Sequence, residues 1–232
     1  MQDYGKDRRW PFAEGGGATI GVVSALFFTT LALWRARPSF LTRAIAGLGA
    51  VIWTLVLYFF RDPNRNVRQA PGLVVSAGDG EIMDVRRERE NEYLHCEAIR
   101  ISTFLSITDV HVQRVPISGR VTQIKHRPGR FLQAFRPEAS TQNEHIAMTI
   151  ETPRGPVLVK QIAGIMARRC VNYLQPGECV ETGQRFGLIR FGSRVDLFVP
   201  PAAEILVGIG TKVKGGLTPV ARLESGGSDD TE

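Results

Sequence analysis

Two long stretches without a single charged residue lie within the first sixty positions, Gly15 to Trp34 and Ala44 to Phe60. About 20 apolar residues in a helix cross a hydrocarbon core of roughly 30 Å, so the first stretch is long enough to span and the second is borderline. The link between them, Arg35-Ala36-Arg37-Pro38-Ser39-Phe40-Leu41-Thr42-Arg43, reads as a turn. The pair predicts a helical hairpin in a bilayer. A cleaved signal peptide would show one apolar segment and a small-residue cleavage site, and neither condition is met. Two buried helices of a soluble domain are the other alternative. Lys6, Arg8 and Arg9 precede the hairpin and Arg61, Arg65 and Arg68 follow it, which puts both ends on the cytoplasmic side of a cell membrane. The arginines of the link fit a shallow hairpin that enters one leaflet equally well. Trp10, Trp34, Trp53 and Tyr58 lie within or beside the segments, and those at the ends can serve as interfacial anchors.

From Val74 onward the texture changes to short apolar runs punctuated by Gly, Pro, Asn and Asp. Strands are predicted over Val74–Ser76, Glu81–Val85, Ala98–Ser102, Ile146–Ile150, Pro156–Lys160 and Arg194–Phe198. Arg154-Gly155 predicts a hairpin. Asp79-Gly80 and Ser118-Gly119 read as tight turns in which glycine supplies a positive φ. One helix is expected over Gly164 to Leu174. The turn-rich run from Val207 to Gly216 resembles the strands of lipoyl- and biotinyl-type sandwiches. The fold class expected is therefore mainly β, a barrel-sandwich-hybrid-like domain preceded by the apolar hairpin. Its divisions are a polar arm (1–14), the hairpin (15–60), the β domain (61–224) and an acidic, disordered tail (225–232).

The 232 residues, 43% hydrophobic and 22% charged, suffice for one substantial core. A net charge of +6 suits an anionic membrane surface or nucleic acid. No finger spacing, aromatic-rich strand signature or basic recognition helix supports the latter, so no nucleic-acid partner is expected. Cys96, Cys170 and Cys179 are widely spaced, fit no metal-ligand pattern and are expected as reduced, small core residues. The four histidines form no clustered motif, and no metal is assigned.

Near the C-terminal end, Gly192-Ser193 lies between two apolar, strand-like stretches, Leu188-Ile189-Arg190-Phe191 and Arg194-Val195-Asp196-Leu197-Phe198. A serine after glycine can turn its hydroxyl onto the preceding carbonyl, because glycine lacks the Cβ that would oppose the strained backbone. Elimination from the resulting ester breaks the chain and leaves Ser193 as a pyruvoyl group. Gly227-Ser228, in the acidic tail, lacks this context. The stretch Gly187 to Asp196 resembles the processing site of phosphatidylserine decarboxylase proenzymes, particularly the short bacterial and archaeal type. The resemblance continues through Phe59-Phe60-Arg61-Asp62-Pro63, Ser76-Ala77-Gly78-Asp79-Gly80, Asp109-Val110-His111-Val112-Gln113-Arg114-Val115-Pro116, Gln142-Asn143-Glu144 and Lys160-Gln161-Ile162-Ala163-Gly164.

Self-cleavage needs a base for the Ser193 hydroxyl and a group to orient that base. The residues alone rank His111 only slightly above His126, and read Asp79-Gly80 as a turn. The resemblance implies an Asp79–His111–Ser193 triad. Two departures stand out. Longer bacterial relatives carry a second histidine where this chain has Arg114, which cannot act as a base; either His111 serves alone or Arg114 holds a phosphate or carboxylate. His145 stands where relatives often have arginine. The resemblance further implies a Schiff base between the pyruvoyl group and phosphatidylserine, loss of carbon dioxide, and release of phosphatidylethanolamine. An imidazole with an ordinary pKa near 6.5 is suited to returning the proton. Arg61, Arg65 and Arg68 either attract the anionic headgroup or are plain membrane-flanking charge. Processing implies a β chain, 1–192, and an α chain, 193–232, held together as a heterodimer within one sandwich, with a higher oligomer left open. The rival reading is a non-enzymatic, membrane-anchored lipoyl-like adaptor, but neither Lys125 nor Lys160 has the setting of a modifiable hairpin lysine.

Overall fold

In the computed structural model of the protein, residues 10–67, 69–136, 138–165, 170–189 and 193–224 are described. The polar arm before Trp10, Arg68 and the acidic tail from Ser225 lie outside them. The chain divides into a helical unit ending at Asn64 and a β unit beginning at Arg65.

The helical unit contains α1 (Gly17–Ala36) and α2 (Phe40–Phe59), each 20 residues long and so about 30 Å in length. The second helix begins earlier than the uncharged stretch does. Ser39 caps it: its Oγ accepts from Thr42 N at 3.2 Å, and Thr42 Oγ1 accepts from Ser39 N at 3.0 Å, closing a capping box directly after Pro38. Trp53 ties the helices together, donating from Nε1 to Ser24 Oγ at 2.9 Å and stacking on Phe27 with ring centroids 5.1 Å apart. Only Ile20, Ala46 and Phe59 are buried in these helices, whereas Leu26, Leu41, Leu48, Val51 and Leu55 are exposed. Helices at the centre of a soluble domain would bury those side chains. Outward-facing apolar surface on two helices long enough to cross a bilayer suits association with a membrane.

The β unit runs β1 (Leu73–Val75), β2 (Gly80–Glu90), β3 (Cys96–Leu105), β4 (Val112–Arg114), β5 (Gly119–Arg127), α3 (Ala139–Gln142), β6 (His145–Glu151), β7 (Val157–Ile162), β8 (Cys170–Asn172), β9 (Cys179–Val180), β10 (Arg185–Ile189), β11 (Ser193–Val199), β12 (Glu204–Ile205), β13 (Lys212–Val213) and β14 (Pro219–Arg222). Eight strands form one antiparallel sheet in the order β13-β2-β3-β11-β7-β6-β5-β9, curled into a half-barrel. Two three-stranded sheets, β4-β10-β8 and β1-β14-β12, complete the unit. Alternation sorts the faces of the large sheet. Val195, Leu197 and Val199 on β11, Val157 and Val159 on β7, and Met148 and Ile150 on β6 enter the main core, while Phe198, Leu158 and Ala147 form a separate cluster on the opposite face.

All six predicted strands are present and the mainly β class holds. The helix expected over Gly164 to Leu174 is absent among the described residues: Cys170–Asn172 is a strand, paired antiparallel with Gly187–Ile189 of β10. Residues 166–169 lie outside the described set. Gly80 has a φ of 153°, and a Cβ there would fall 2.0 Å from the Phe104 carbonyl oxygen. Gly119, by contrast, is no positive-φ turn residue. It opens β5, and it is needed because a Cβ would lie 2.3 Å from Glu151 O. Of the three cysteines only Cys170 is buried; Cys96 and Cys179 are exposed at the start of β3 and on the edge strand β9, which corrects the expectation of three core residues. Burial pushes the Cys170 thiol well above its ordinary pKa.

Candidate active site

Ser193 is the first residue of β11, with Leu105 of β3 as its partner. The period of two places it on the same face as Val195 and Leu197, toward the main core. The residue is fully buried, and its Oγ has no hydrogen-bond partner among the described residues. A buried hydroxyl without a partner costs about 1–3 kcal/mol, so such an atom marks a place where stability has yielded to another requirement. Gly192, on the other side of the expected cleavage point, lies outside the described residues with Arg190 and Phe191.

The other face of β11 fixes the strand just beyond Ser193. Arg194 donates from Nε to Asp196 Oδ1 at 2.5 Å and from a terminal nitrogen to Ser102 Oγ at 2.9 Å, and Ser140 Oγ donates to Asp196 Oδ2 at 2.7 Å. Arginine and aspartate are both essentially inaccessible to solvent.

His111 is reached from the same strand, β3. After Leu105 the chain turns at Ser106, whose N and Oγ both donate to Asp109 Oδ2 at 2.8 Å. His111 follows, fully buried, with Nδ1 2.9 Å from the Asp109 carbonyl oxygen. A carbonyl only accepts, so Nδ1 carries the proton and donates, and Nε2 is the basic nitrogen. The His111 carbonyl accepts from Gln113 Nε2 at 2.8 Å and from Ile189 N at 3.4 Å. Ile189 is the last described residue before the link 190–192 that leads to Ser193. His111 is thus held by Ile189, and Ser193 is held by Leu105 at the end of β3.

Asp79 precedes β2. Its carboxylate oxygens accept from the two terminal nitrogens of Arg65 at 2.6 and 2.8 Å, and Oδ1 also accepts from Gly215 N at 2.8 Å. It makes no hydrogen bond to His111 among the described residues. Its neighbours still bring it to the site, because Gly80 presses on Phe104, and a Cβ at Gly78 would touch Leu105 and Val195 at 3.5 and 3.7 Å. The Asp79 segment and Ser193 therefore meet at Leu105, the strand partner of Ser193.

The model of the phosphatidylserine decarboxylase family matches residues 53–221 of this chain. Among relatives, a phosphatidylserine decarboxylase proenzyme of Parabacteroides distasonis is 40% identical over 213 residues, covering 90% of this chain and 97% of the relative. The chain belongs to the phosphatidylserine decarboxylase family. A proenzyme of the same name from Salinibacter ruber is 43% identical over 206 residues, 86% of this chain and 88% of the relative. Another, from Carboxydothermus hydrogenoformans, is 40% identical over 181 residues, 76% and 85% respectively.

Within this decarboxylase, His126 is exposed on β5 and lies 3.3 Å from Glu144 Oε1, whereas His111 is fully buried just ahead of β4. His145 shares a face with Ala147 and so sits on the side of the sheet opposite Ser193. There its Nδ1 bonds the Asn143 carbonyl at 2.9 Å, its Nε2 meets Tyr93 OH at 2.7 Å, and burial holds its pKa below the ordinary value. Arg114 donates to Gly183 O at 3.1 Å and lines a polar cavity of about 320 Å³ with Arg65 and Arg185. Arg65 is buried on Asp79, so it is not a surface charge that draws lipid headgroups, and Arg61 covers the Tyr58 ring at 3.8 Å. Arg68 lies outside the described residues. Lys160 is buried 3.7 Å from both Glu90 and Glu92, which is not the setting of a modifiable carrier lysine.

Sequence reasoning missed Arg65 as the partner of Asp79, the Arg194–Asp196 pair and Gln161. For the pair a signal exists: two opposite charges two positions apart in an otherwise apolar strand must share one face.

Proposed function

We propose that the protein is made as an inactive proenzyme that cuts itself between Gly192 and Ser193, and that the processed form converts phosphatidylserine to phosphatidylethanolamine and carbon dioxide. The observation that carries this reading is the buried Ser193 Oγ without a hydrogen-bond partner, at the head of a strand whose next residues are pinned by a buried ion pair.

His111 Nε2 takes the Ser193 hydroxyl proton, and Oγ attacks the Gly192 carbonyl carbon. The peptide C–N bond breaks as the proton passes to the Ser193 nitrogen, leaving an ester. Removal of the Ser193 α proton expels the ester oxygen from Cβ, so Gly192 ends as a carboxylate. Water then hydrolyses the remaining unsaturated amine, ammonia leaves, and a pyruvoyl ketone caps residue 193. An unbonded hydroxyl in a dry setting fits a residue that is to become such a group. A ketone at residue 193 would supply a carbonyl for the substrate amine and a sink for the electron pair released as carbon dioxide departs. His111 Nε2, basic while Nδ1 is held by Asp109 O, is the atom that would return a proton to the substrate carbon. Asp79 would orient His111 only after leaving Arg65.

The β chain, 1–192, and the α chain, 193–232, would stay together, since β11 lies between β3 and β7. The hairpin, 15–60, would hold the catalytic domain, 61–224, at the cytoplasmic face of the cell membrane, where the substrate is a lipid. The test is product formation: purified protein in detergent micelles containing phosphatidylserine should yield phosphatidylethanolamine, and Ser193→Ala should not. Equal yields from both would refute this reading.

A further inference from the structure

Gln161 on β7 is a second buried polar side chain on the Ser193 face of the sheet. It lies opposite Val195, two positions along β11 from Ser193, and shares its face with Val157 and Val159 of the main core. Diagonal neighbours of this kind stand about 7–8 Å apart, within reach of a long side chain. Its Nε2 donates to Gln113 Oε1 at 3.0 Å and to Val171 O at 3.2 Å. Both acceptors are oxygens, which fixes the orientation of the amide: turning it over would set oxygen against oxygen. Gly187 makes room, for a Cβ there would lie 2.5 Å from Gln161 Nε2. With both N–H groups occupied, Oε1 is left as a pure acceptor, and it is buried with no hydrogen-bond partner. An interior amide oxygen held this firmly and given nothing to accept from calls for a donor brought by a ligand.

We propose that Gln161 is the substrate-orienting residue of the decarboxylation site, its Oε1 accepting an N–H from the primary amine of the substrate headgroup. This rests on the reading of Ser193 as the residue that becomes the ketone. The amine must approach residue 193 uncharged in order to attack a carbonyl. A carboxylate at this position would hold it as ammonium, whereas a neutral amide oxygen accepts from either form. The same oxygen repels the carboxylate of the substrate, so the amine is turned toward Gln161 and the departing group away from it. Gln113 couples this residue to the base, accepting from Gln161 and donating to His111 O.

The experiment compares Gln161→Met with Gln113→Met, which breaks the same inter-sheet link but retains the Gln161 oxygen. Intact mass gives the fraction cleaved, hydroxylamine labelling of the α chain counts ketones without turnover, and KM and kcat are measured with phosphatidylserine in detergent micelles. The expected result is that Gln161→Met is cleaved and labelled like wild type, with KM raised about tenfold or more over that of Gln113→Met and a smaller change in kcat. If Gln161→Met does not fold, Gln161→Asn, which withdraws the acceptor by one methylene, takes its place. Equal KM values for the two variants, or loss of cleavage in the Gln161 variant alone, would overturn the proposal while leaving the self-cleaving decarboxylase intact. Absence of any ketone in wild type would instead remove the reading on which it rests.

Discussion

In the uncut chain His111 and Asp79 serve different partners: the Asp109 carbonyl orients the imidazole, and Arg65 holds the carboxylate. His111→Gln should slow the appearance of cleaved chains by about 10²- to 10⁴-fold, the usual worth of a positioned base. His126→Gln, on an exposed histidine beside Glu144, should leave cleavage unchanged, and gel densitometry over time distinguishes the two. A second prediction concerns His145, whose pKa burial depresses below 6.5. The unfolded chain takes up that proton first, so the contribution of the neutral ring is complete above pH 6.5 and is lost as pH falls toward the folded value. Tyr93, Lys160, Glu92 and Arg127 surround the ring; the Glu92 carboxyl, itself depressed, titrates in a lower window. Melting temperatures of the Ser193→Ala chain should therefore drop between pH 7.5 and 5.5, and the drop should shrink when His145→Gln is added. Ser193, His111 and Asp79 are proposed through the resemblance of their segments to the family's motifs; the residues alone rank His111 only slightly above His126 and read Asp79-Gly80 as a turn. The partners of Asp79 were not legible in the sequence, since Gly215 is 136 positions away and nothing local announces the contact.

At the scale of the element, β11 decides whether the site exists. Its register aligns Ser193 with Leu105 and Arg194 with both Phe104 and Ile162, and a slip of one residue would turn the hydroxyl to the opposite face. The buried Arg194–Asp196 pair resists that slip. Asp196→Asn leaves the guanidinium buried and uncompensated, and should destabilise the fold by about 3 kcal/mol, measured by urea unfolding in the uncleavable Ser193→Ala background. The strands read correctly from sequence are those with continuous apolar or alternating character, such as Ile146–Ile150. β4, β9, β12 and β13 have two or three residues each and are set by what they pair with rather than by their composition. Gly164 to Leu174 has apolar residues at helix-like intervals, but Cys170, Val171 and Asn172 gain a complete ladder against β10, and tertiary pairing prevails over local pattern.

For the molecule as a whole, a cut ahead of Ser193 severs one backbone bond in a sheet that remains paired on both sides of β11. The two chains should therefore co-elute on size exclusion in detergent and separate only under denaturing conditions. The exposed leucines and valines of α1 and α2 should keep both fragments in the membrane fraction until detergent is added. The hairpin was legible from its lack of charge alone and the β class from its punctuation, whereas the curl of the eight-stranded sheet depends on pairings between distant segments such as β13 and β2. Intact mass under denaturing conditions, wild type beside Ser193→Ala, examines the self-cleavage itself. Wild type should give residues 1–192 and a 193–232 fragment bearing a ketone in place of its amino terminus, and the variant a single chain of 25.6 kDa. A folded wild-type protein that also runs as one uncut chain would contradict processing at Ser193 and the chemistry built on it.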